Sequence, residues 1–339
     1  MTELEARPGA EPLLRTAGLT KHFKIGNAVS RRTLHAVDDV SLAIGERQIV
    51  ALAGESGSGK STIARMLAML HKPTGGEIFF QGRPLSGIRS RSERLGYTGL
   101  VPMVFQDPFA SINPVFRVSH GIIRGLKLHR RDLSGRQRYD EAERVFDVVG
   151  LTPAAEVLQR FPYELSGGQR QRVGFAQALA LRPKLILADE PVSMLDVSIR
   201  IGLLNLMIEL RDKEGVSILY ITHDIASARY VADRLIVMYA GHIAEAGPVE
   251  DVLTRPRHPY TQLLLSAVPD PRAPLGVSSE TDKGEPPRVI DPTPGCRFRW
   301  RCPLAIDECH LVTPPLRELM PGHDAACHVA RADAPTRAF

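Results

Sequence analysis

The chain has 339 residues, enough for one large domain or two modest ones with a sizeable core. Hydrophobic residues at 43% and charged residues at 24% are the balance of a soluble protein, and no apolar run approaches the ~18 residues that span a bilayer, which leaves only a peripheral membrane role. The net charge of +5 comes from arginines and lysines interleaved with acids, with no basic helix or aromatic-basic stripe, and this pattern argues against a nucleic-acid partner.

The N-terminal MTELEARPGAEPLLR lacks the basic start and apolar stretch of a secretory signal, so a cytosolic chain with reduced thiols is expected. Residues 13 to 53 alternate in a strand-like way (LLRTAGLTKHF, LHAVDDVSLAI, ERQIVALAG), and STIARMLAML from Ser61 then changes to a helical period. PTGGEIFFQGRPL returns to turn and strand, and residues 111 to 163 are rich in helix, with EAERVFDVVGL the clearest amphipathic stretch. KLILADEP reads as a buried strand, SIRIGLLNLMIELRDKEG as a helix closed by glycine, VSILYITHD as another strand, and RLIVMYAGHIAEAG as a late hairpin. Strands alternating with helices imply a mostly parallel sheet with helices on its faces. The Pro/Gly/Ser-rich stretch 269 to 294 reads as a linker.

GESGSGKS, Gly54 to Ser61, fits G-x-x-x-x-G-K-[ST] between an apolar strand and a helix. In such a loop Gly54, Ser56, Gly57 and Gly59 let backbone N–H groups curl around phosphate oxygens, Lys60 reaches the terminal phosphates, Ser61 ligates magnesium and Thr62 helps hold the phosphate end. Asp189 closes the strand KLILAD and is placed to hold magnesium through water, with Glu190 beside it to orient or activate the attacking water. LSGGQRQR, Leu165 to Arg172, puts Ser166, Gly167, Gly168 and Gln169 at a helix start, an anion-binding end.

LSGGQ resembles the signature sequence of the ATP-binding cassette (ABC) superfamily, and the other motifs follow in that family's order. The resemblance implies that Ser166 to Gln169 meet the γ-phosphate bound by an opposite subunit, so that two cassettes sandwich each nucleotide. It further implies that Gln106 senses magnesium and the attacking water, that SMLD (Ser193 to Asp196) crosses between subunits, and that His223 contacts the γ-phosphate. Phe23 is implied to stack on adenine, with His22 as the alternative. Met194 stands where alanine is commoner, and no loss of activity is expected from it.

One cassette with about 105 residues between Lys60 and Ser166 is the build of a transporter subunit; a cytosolic ABC ATPase acting on nucleic acid or ribosomes is the alternative class. QDPFASINP (106 to 114), DEPVSMLDVSIR (189 to 200) and RHPYTQLLLSAVP (257 to 269) resemble ATPases of oligopeptide/dipeptide permeases. That family implies two membrane permease subunits, docked near the segment after Gln106, an external solute-binding protein, a second homologous ATPase, and a place at the cytoplasmic face of the membrane. Relatives also carry oligosaccharides or nickel chelates, and the cargo contacts lie in other subunits.

The four cysteines, Cys296, Cys302, Cys309 and Cys327, are spaced C-x5-C-x6-C-x17-C. Clustered thiols in a reducing compartment point to metal, yet structural zinc usually shows a pair two to four residues apart and this set has none. The spacing also differs from ferredoxin runs, which leaves an iron–sulfur cluster, zinc and free buried thiols all open. The C-terminal region of peptide-permease ATPases, which this segment resembles, implies a [4Fe-4S] cluster on these cysteines. Arg297, Arg299, Arg301 and Arg317 are expected to offset its charge, Trp300 and Pro303 to shield it, and His310, His323 and His328 to be spare ligands should the metal be zinc.

The expected fold is therefore an α/β P-loop nucleotide-binding domain of ABC type over residues 1–255, with a RecA-like core, an N-terminal antiparallel β subdomain and a helical subdomain at about 111–165. A C-terminal extension over 256–339 is expected to carry the cysteines.

Overall fold

The computed structural model describes residues 11–26, 31–107, 112–266 and 289–331. Pro108 to Ser111 of the expected permease-docking segment, and most of the expected linker, lie outside these.

The N-terminal strands β1 (Leu14–Ile25), β2 (Arg32–Val40) and β3 (Ala43–Ile44) pair antiparallel, β3 against the start of β1 and β2 against its later residues. Strand β4 (Ile49–Ala53) is buried at every residue and runs into helix α1 (Lys60–Leu67), whose Ile63, Ala64, Met66 and Leu67 face the core. Strands β5 (Gly75–Phe80) and β6 (Arg83–Pro84) complete a five-stranded antiparallel sheet. Helix α2 (Arg91–Leu100) was absent from the periodicity reading, although Ser90 and Glu93 form its capping box, an S-x-x-E signal visible in the sequence.

After the short strand β7 (Met103–Val104), helices α3 (Val118–His129), α4 (Gly135–Val148) and α5 (Ala154–Gln159) pack around Ile122, Leu126, Val145, Phe146 and Leu158, the helix-rich region expected at 111 to 163. Helix α6 (Gly167–Leu179) returns the chain to the main sheet. Strand β8 (Leu185–Asp189), helix α7 (Val197–Asp212), strand β9 (Ser217–Thr222), helix α8 (Ile225–Val231) and the antiparallel pair β10 (Arg234–Tyr239) and β11 (His242–Pro248) follow. β8 and β9 are buried throughout, as strands covered on both faces must be.

The second sheet has eight strands, with β10, β4, β9, β8 and β7 parallel to one another. Ligands of open parallel sheets bind beyond the carboxyl ends of the strands. Here the ends of β4, β8 and β9 deliver Gly54, Asp189 and Thr222 to one edge.

Beyond residue 255 the chain stays in the same structure. Helices α9 (Val249–Thr254) and α10 (Pro259–Ser266) lie against β11, and fully buried Tyr260 belongs to the main core. After α11 (Asp307–Leu311), strands β12 (Arg317–Met320) and β13 (His323–Ala325) form a hairpin, and β13 pairs with β11. The cysteine segment thus closes one edge of the nucleotide-site sheet.

Candidate nucleotide-binding site

The loop Gly54–Gly59 joins β4 to α1. Gly54 has φ +145°, and a Cβ there would fall 2.2 Å from the Met238 carbonyl oxygen, so only glycine lets the loop leave the sheet at this point. Gly59 caps α1 with φ +105°, and a Cβ there would lie 2.4 Å from the Ala36 carbonyl oxygen. Lys60 is buried; its Nζ donates to the Gly54 carbonyl at 2.7 Å and the Glu55 carbonyl at 2.8 Å, so the ammonium curls back over the loop. Burial pushes its pKa down, against the pull of the Glu190, Asp189 and Glu55 carboxylates.

Ser61 Oγ donates to Asp189 Oδ1 at 2.8 Å, linking the start of α1 to the end of β8. A hydroxyl and a carboxylate in contact are a hard-oxygen set of the kind that holds Mg²⁺. Burial raises the Asp189 pKa, and the Ser61 hydrogen bond partly opposes this. Thr62 lies on the same first turn of α1.

Glu190 follows with φ +44°, a left-handed conformation uncommon for a non-glycine residue, held by its N–H bonding to the Ile221 carbonyl. Its Oε2 accepts from Gln106 Nε2 at 3.1 Å and pairs with His223 Nδ1 at 3.2 Å. Ser193 Oγ, the first residue of SMLD, donates to the Glu190 carbonyl at 3.0 Å, and Met194 is exposed. Three side chains drawn from positions 106, 190 and 223 thereby meet on one carboxylate oxygen.

Ser166 caps α6, its Oγ accepting the Gln169 N–H at 3.3 Å while Gln169 Oε1 accepts the Ser166 N–H at 3.0 Å. Ser166 is exposed and Gly168 is buried, with Ile199 where a Cβ would go. Phe23 lies on β1, edge-on to His71 with centroids 5.7 Å apart, and Lys21 Nζ is 5.0 Å from its ring. His22 is engaged otherwise: it pairs with Asp38, and its ring lies 3.8 Å from that of His35. His22, His35 and Asp38 are close enough to hold a cation, but Arg297 also binds Asp38 and already supplies the positive charge. Burial opposes ionisation of Asp38, yet the bonds from His22, His35 and Arg297 outweigh it and hold its carboxyl well below the usual range.

The four cysteines converge. The Cys296 N–H donates to the Cys309 carbonyl at 2.8 Å, and Cys296, Cys309 and Cys327 each lie within electrostatic reach of Cys302. Backbone N–H groups of Phe298 and Arg299 point at Cys296, that of Leu304 at Cys302, and those of Val329 and Ala330 at Cys327. Burial pushes the Cys296 and Cys302 thiols up to about 11. Among the described residues no three cysteine sulfurs lie within 4.8 Å of one another.

Around them the structure corrects several expectations. Trp300 is 73% exposed and shields nothing, because its ring turns outward against His310. Arg299 and Arg317 stay in the segment, donating to the Cys296 carbonyl at 2.9 Å and the Cys327 carbonyl at 3.0 Å. Arg297 and Arg301 instead reach carboxylates of the main domain, Asp38 and Glu55. Of the spare histidines, His323 pairs with Glu245 at 2.6 Å and His328 with the Val312 carbonyl at 2.9 Å.

Residues that the sequence reading passed over also reach the site. Tyr260 Oη accepts the Glu55 N–H at 2.9 Å, and Glu245 accepts the N–H groups of Arg257 and His258 at 2.7 and 2.9 Å, fixing the start of α10. HPYT, read as a family marker and a proline-started helix, is thus also a support for the phosphate loop.

A parallel sheet with a phosphate loop, a carboxylate pair at a neighbouring strand end and a serine-capped signature helix defines an ATP-binding cassette. The family described as ABC transporter matches residues 37–193, and the family described as oligopeptide/dipeptide transporter, C-terminal region, matches residues 244–309. A Brucella ovis protein, provisionally named a peptide import ATP-binding protein, is 42% identical over 316 residues, 93% of this chain and 97% of the relative. The oligopeptide transport ATP-binding protein AppF of Bacillus subtilis is 40% identical over 324 residues, covering 94% and 98%. The dimeric post-hydrolysis structure of the ATP-binding cassette MJ0796 with ADP and Pi superposes with a TM-score of 0.62 at 28% identity, covering 70% of this chain and 98% of that one. The chain belongs to the ABC transporter family, among the ATP-binding proteins of oligopeptide/dipeptide transporters.

Proposed function

We propose that this chain is the ATP-hydrolysing subunit of a peptide importer, with Glu190 as the base. The observation that carries the reading is the meeting of Gln106 and His223 on Glu190 Oε2, beside the Ser61–Asp189 pair. Gly54 to Thr62 would hold the phosphates, Phe23 would stack on adenine, and Ser61, Asp189 and Gln106 would hold Mg²⁺, which would supply positive charge to the phosphates. Glu190 takes a proton from water as the water oxygen bonds to the γ-phosphorus; the bond to the bridging oxygen breaks and ADP leaves. His223 and Gln106 orient that water and the γ-phosphate. Ser166, Gly167, Gly168 and Gln169 serve the nucleotide of a second cassette, a reading supported by the exposed Ser166 at the start of α6 and by the dimeric MJ0796 cassette.

The partners of this reading are a homologous second ATPase, two membrane permease subunits and an extracytoplasmic solute-binding protein, with this chain at the cytoplasmic face. Among the described residues no helix is long and apolar enough to cross a membrane, and in this reading the channel is formed by the permease subunits. The cysteines would hold a [4Fe-4S] cluster, a reading supported by their convergence and by the backbone N–H groups aimed at three of the sulfurs.

The test is purification of the tagged chain from membranes. Permease subunits should accompany it, and the assembled complex should hydrolyse ATP faster when the peptide-loaded binding protein is added. Recovery with ribosomes or DNA and without permease subunits would refute the importer reading.

A further inference from the structure

Arg301 immediately precedes Cys302, yet its side chain leaves the cysteine segment for the phosphate loop. Its Nη1 donates to Glu55 Oε2 at 2.7 Å and its Nη2 to Glu55 Oε1 at 2.9 Å, a two-pronged pair with side chains only 12% and 25% exposed. The guanidinium is held from behind by Tyr239 and Phe298, with ring centroids 5.7 and 5.9 Å away. Glu55 is the second residue of the loop GESGSGKS, and its carboxylate lies within electrostatic reach of Lys60. An uncompensated carboxylate at that position would repel a triphosphate and draw the Lys60 ammonium toward itself. A second arginine of the segment also reaches the main domain: Arg297, next to Cys296, binds Asp38 and the Ala240 carbonyl, and Asp38 in turn holds His22, the neighbour of Phe23.

We propose that Arg301 is a positioning residue for ATP: by neutralising and fixing Glu55 it sets the affinity of the phosphate loop, and the cysteine segment thereby becomes part of the nucleotide site. This rests on the reading of Gly54 to Ser61 as the ATP site. The mechanism is electrostatic, so it has a signature that packing lacks. Removing the charge of Arg301 should harm binding only while Glu55 keeps its own charge.

The measurement is the equilibrium dissociation constant of the purified full-length chain for a fluorescent ATP analogue with Mg²⁺, with the melting temperature of each variant recorded. Arg301→Gln, which keeps most of the stem, should raise the constant about tenfold. Arg301→Lys, which keeps the charge without the fork, should raise it by less. The double variant Arg301→Gln/Glu55→Gln should recover most of the lost affinity. Wild-type affinity in Arg301→Gln, or a double variant as weak as the single one, would overturn the proposal. Lys60→Ala separates the two readings: if it binds as tightly as wild type, the loop is not the ATP site. If Lys60→Ala loses binding while Arg301→Gln does not, only the role of Arg301 fails.

Discussion

Tyr260 Oη accepts the backbone N–H of Glu55 at 2.9 Å, so the phosphate loop is pinned from a helix about two hundred residues downstream. Tyr260 is fully buried, packed against Tyr239 and Phe298 with centroids 4.6 and 5.5 Å away. Its hydroxyl therefore has a fixed direction, and the Glu55 amide depends on it.

Tyr260→Phe should leave that amide without its acceptor while preserving the ring packing. The expected loss is about 1–3 kcal/mol of unfolding free energy, the range for an orphaned partly buried donor. ATP binding should weaken with it. Urea unfolding and nucleotide titration of the variant check both; an unchanged midpoint and affinity would show that the bond contributes nothing.

The contrast between Asp189 and Tyr260 shows what the sequence made legible. Asp189 ends an apolar strand and Glu190 follows it, so local pattern and chemistry coincide; the phosphate loop, the signature helix cap and the β10–β11 hairpin were readable for the same reason. Tyr260, Arg301 and the pairing of β13 with β11 join segments far apart in the chain, and no local periodicity encodes such contacts. Arg301 looked like charge compensation for the cysteines because sequence neighbours were the only partners in view. Helix α2 is a different case, since its capping box is a local signal that lies in the sequence itself.

Glu190→Gln should keep the Gln106 and His223 contacts nearly isosteric while removing the basic carboxylate. ATP binding should persist and hydrolysis by the assembled transporter should fall by about 100-fold or more, the usual worth of a positioned general base. Single-turnover hydrolysis checks this directly. Full activity would remove Glu190 from the base role.

Acid should destabilise the chain through two buried histidines. Burial pushes His258 down from 6.5 to about 4, and its Nδ1 accepts the Tyr260 N–H at 3.0 Å, so the neutral ring is the native form. His242 is pushed down to about 4 by burial and the nearby Arg297. A depressed histidine binds protons more readily in the unfolded chain, so its contribution is complete above pH 6.5 and is lost as pH falls toward 4, by at most about 3 kcal/mol each. Asp38, also depressed, acts in a lower window, below its ordinary value of 3.8. His258→Asn retains an acceptor and should flatten the urea-unfolding profile between pH 7 and 4.5. An equally steep profile in the variant would assign the acid sensitivity elsewhere.

The cysteine segment makes the sharpest chemical prediction. The four thiols converge, and burial pushes those of Cys296 and Cys302 up to about 11, so without a positive centre these two would stay protonated. A cluster changes that balance by supplying the charge that makes thiolates the stable form, with backbone N–H groups already directed at three of the sulfurs. Protein purified without oxygen should therefore absorb at about 400 nm and carry iron and sulfide in equal amounts. Cys309→Ser should bleach the band and lower the melting temperature, because it removes a ligand sulfur at a position buried in the fold of the segment. A colourless preparation holding only zinc would overturn the cluster.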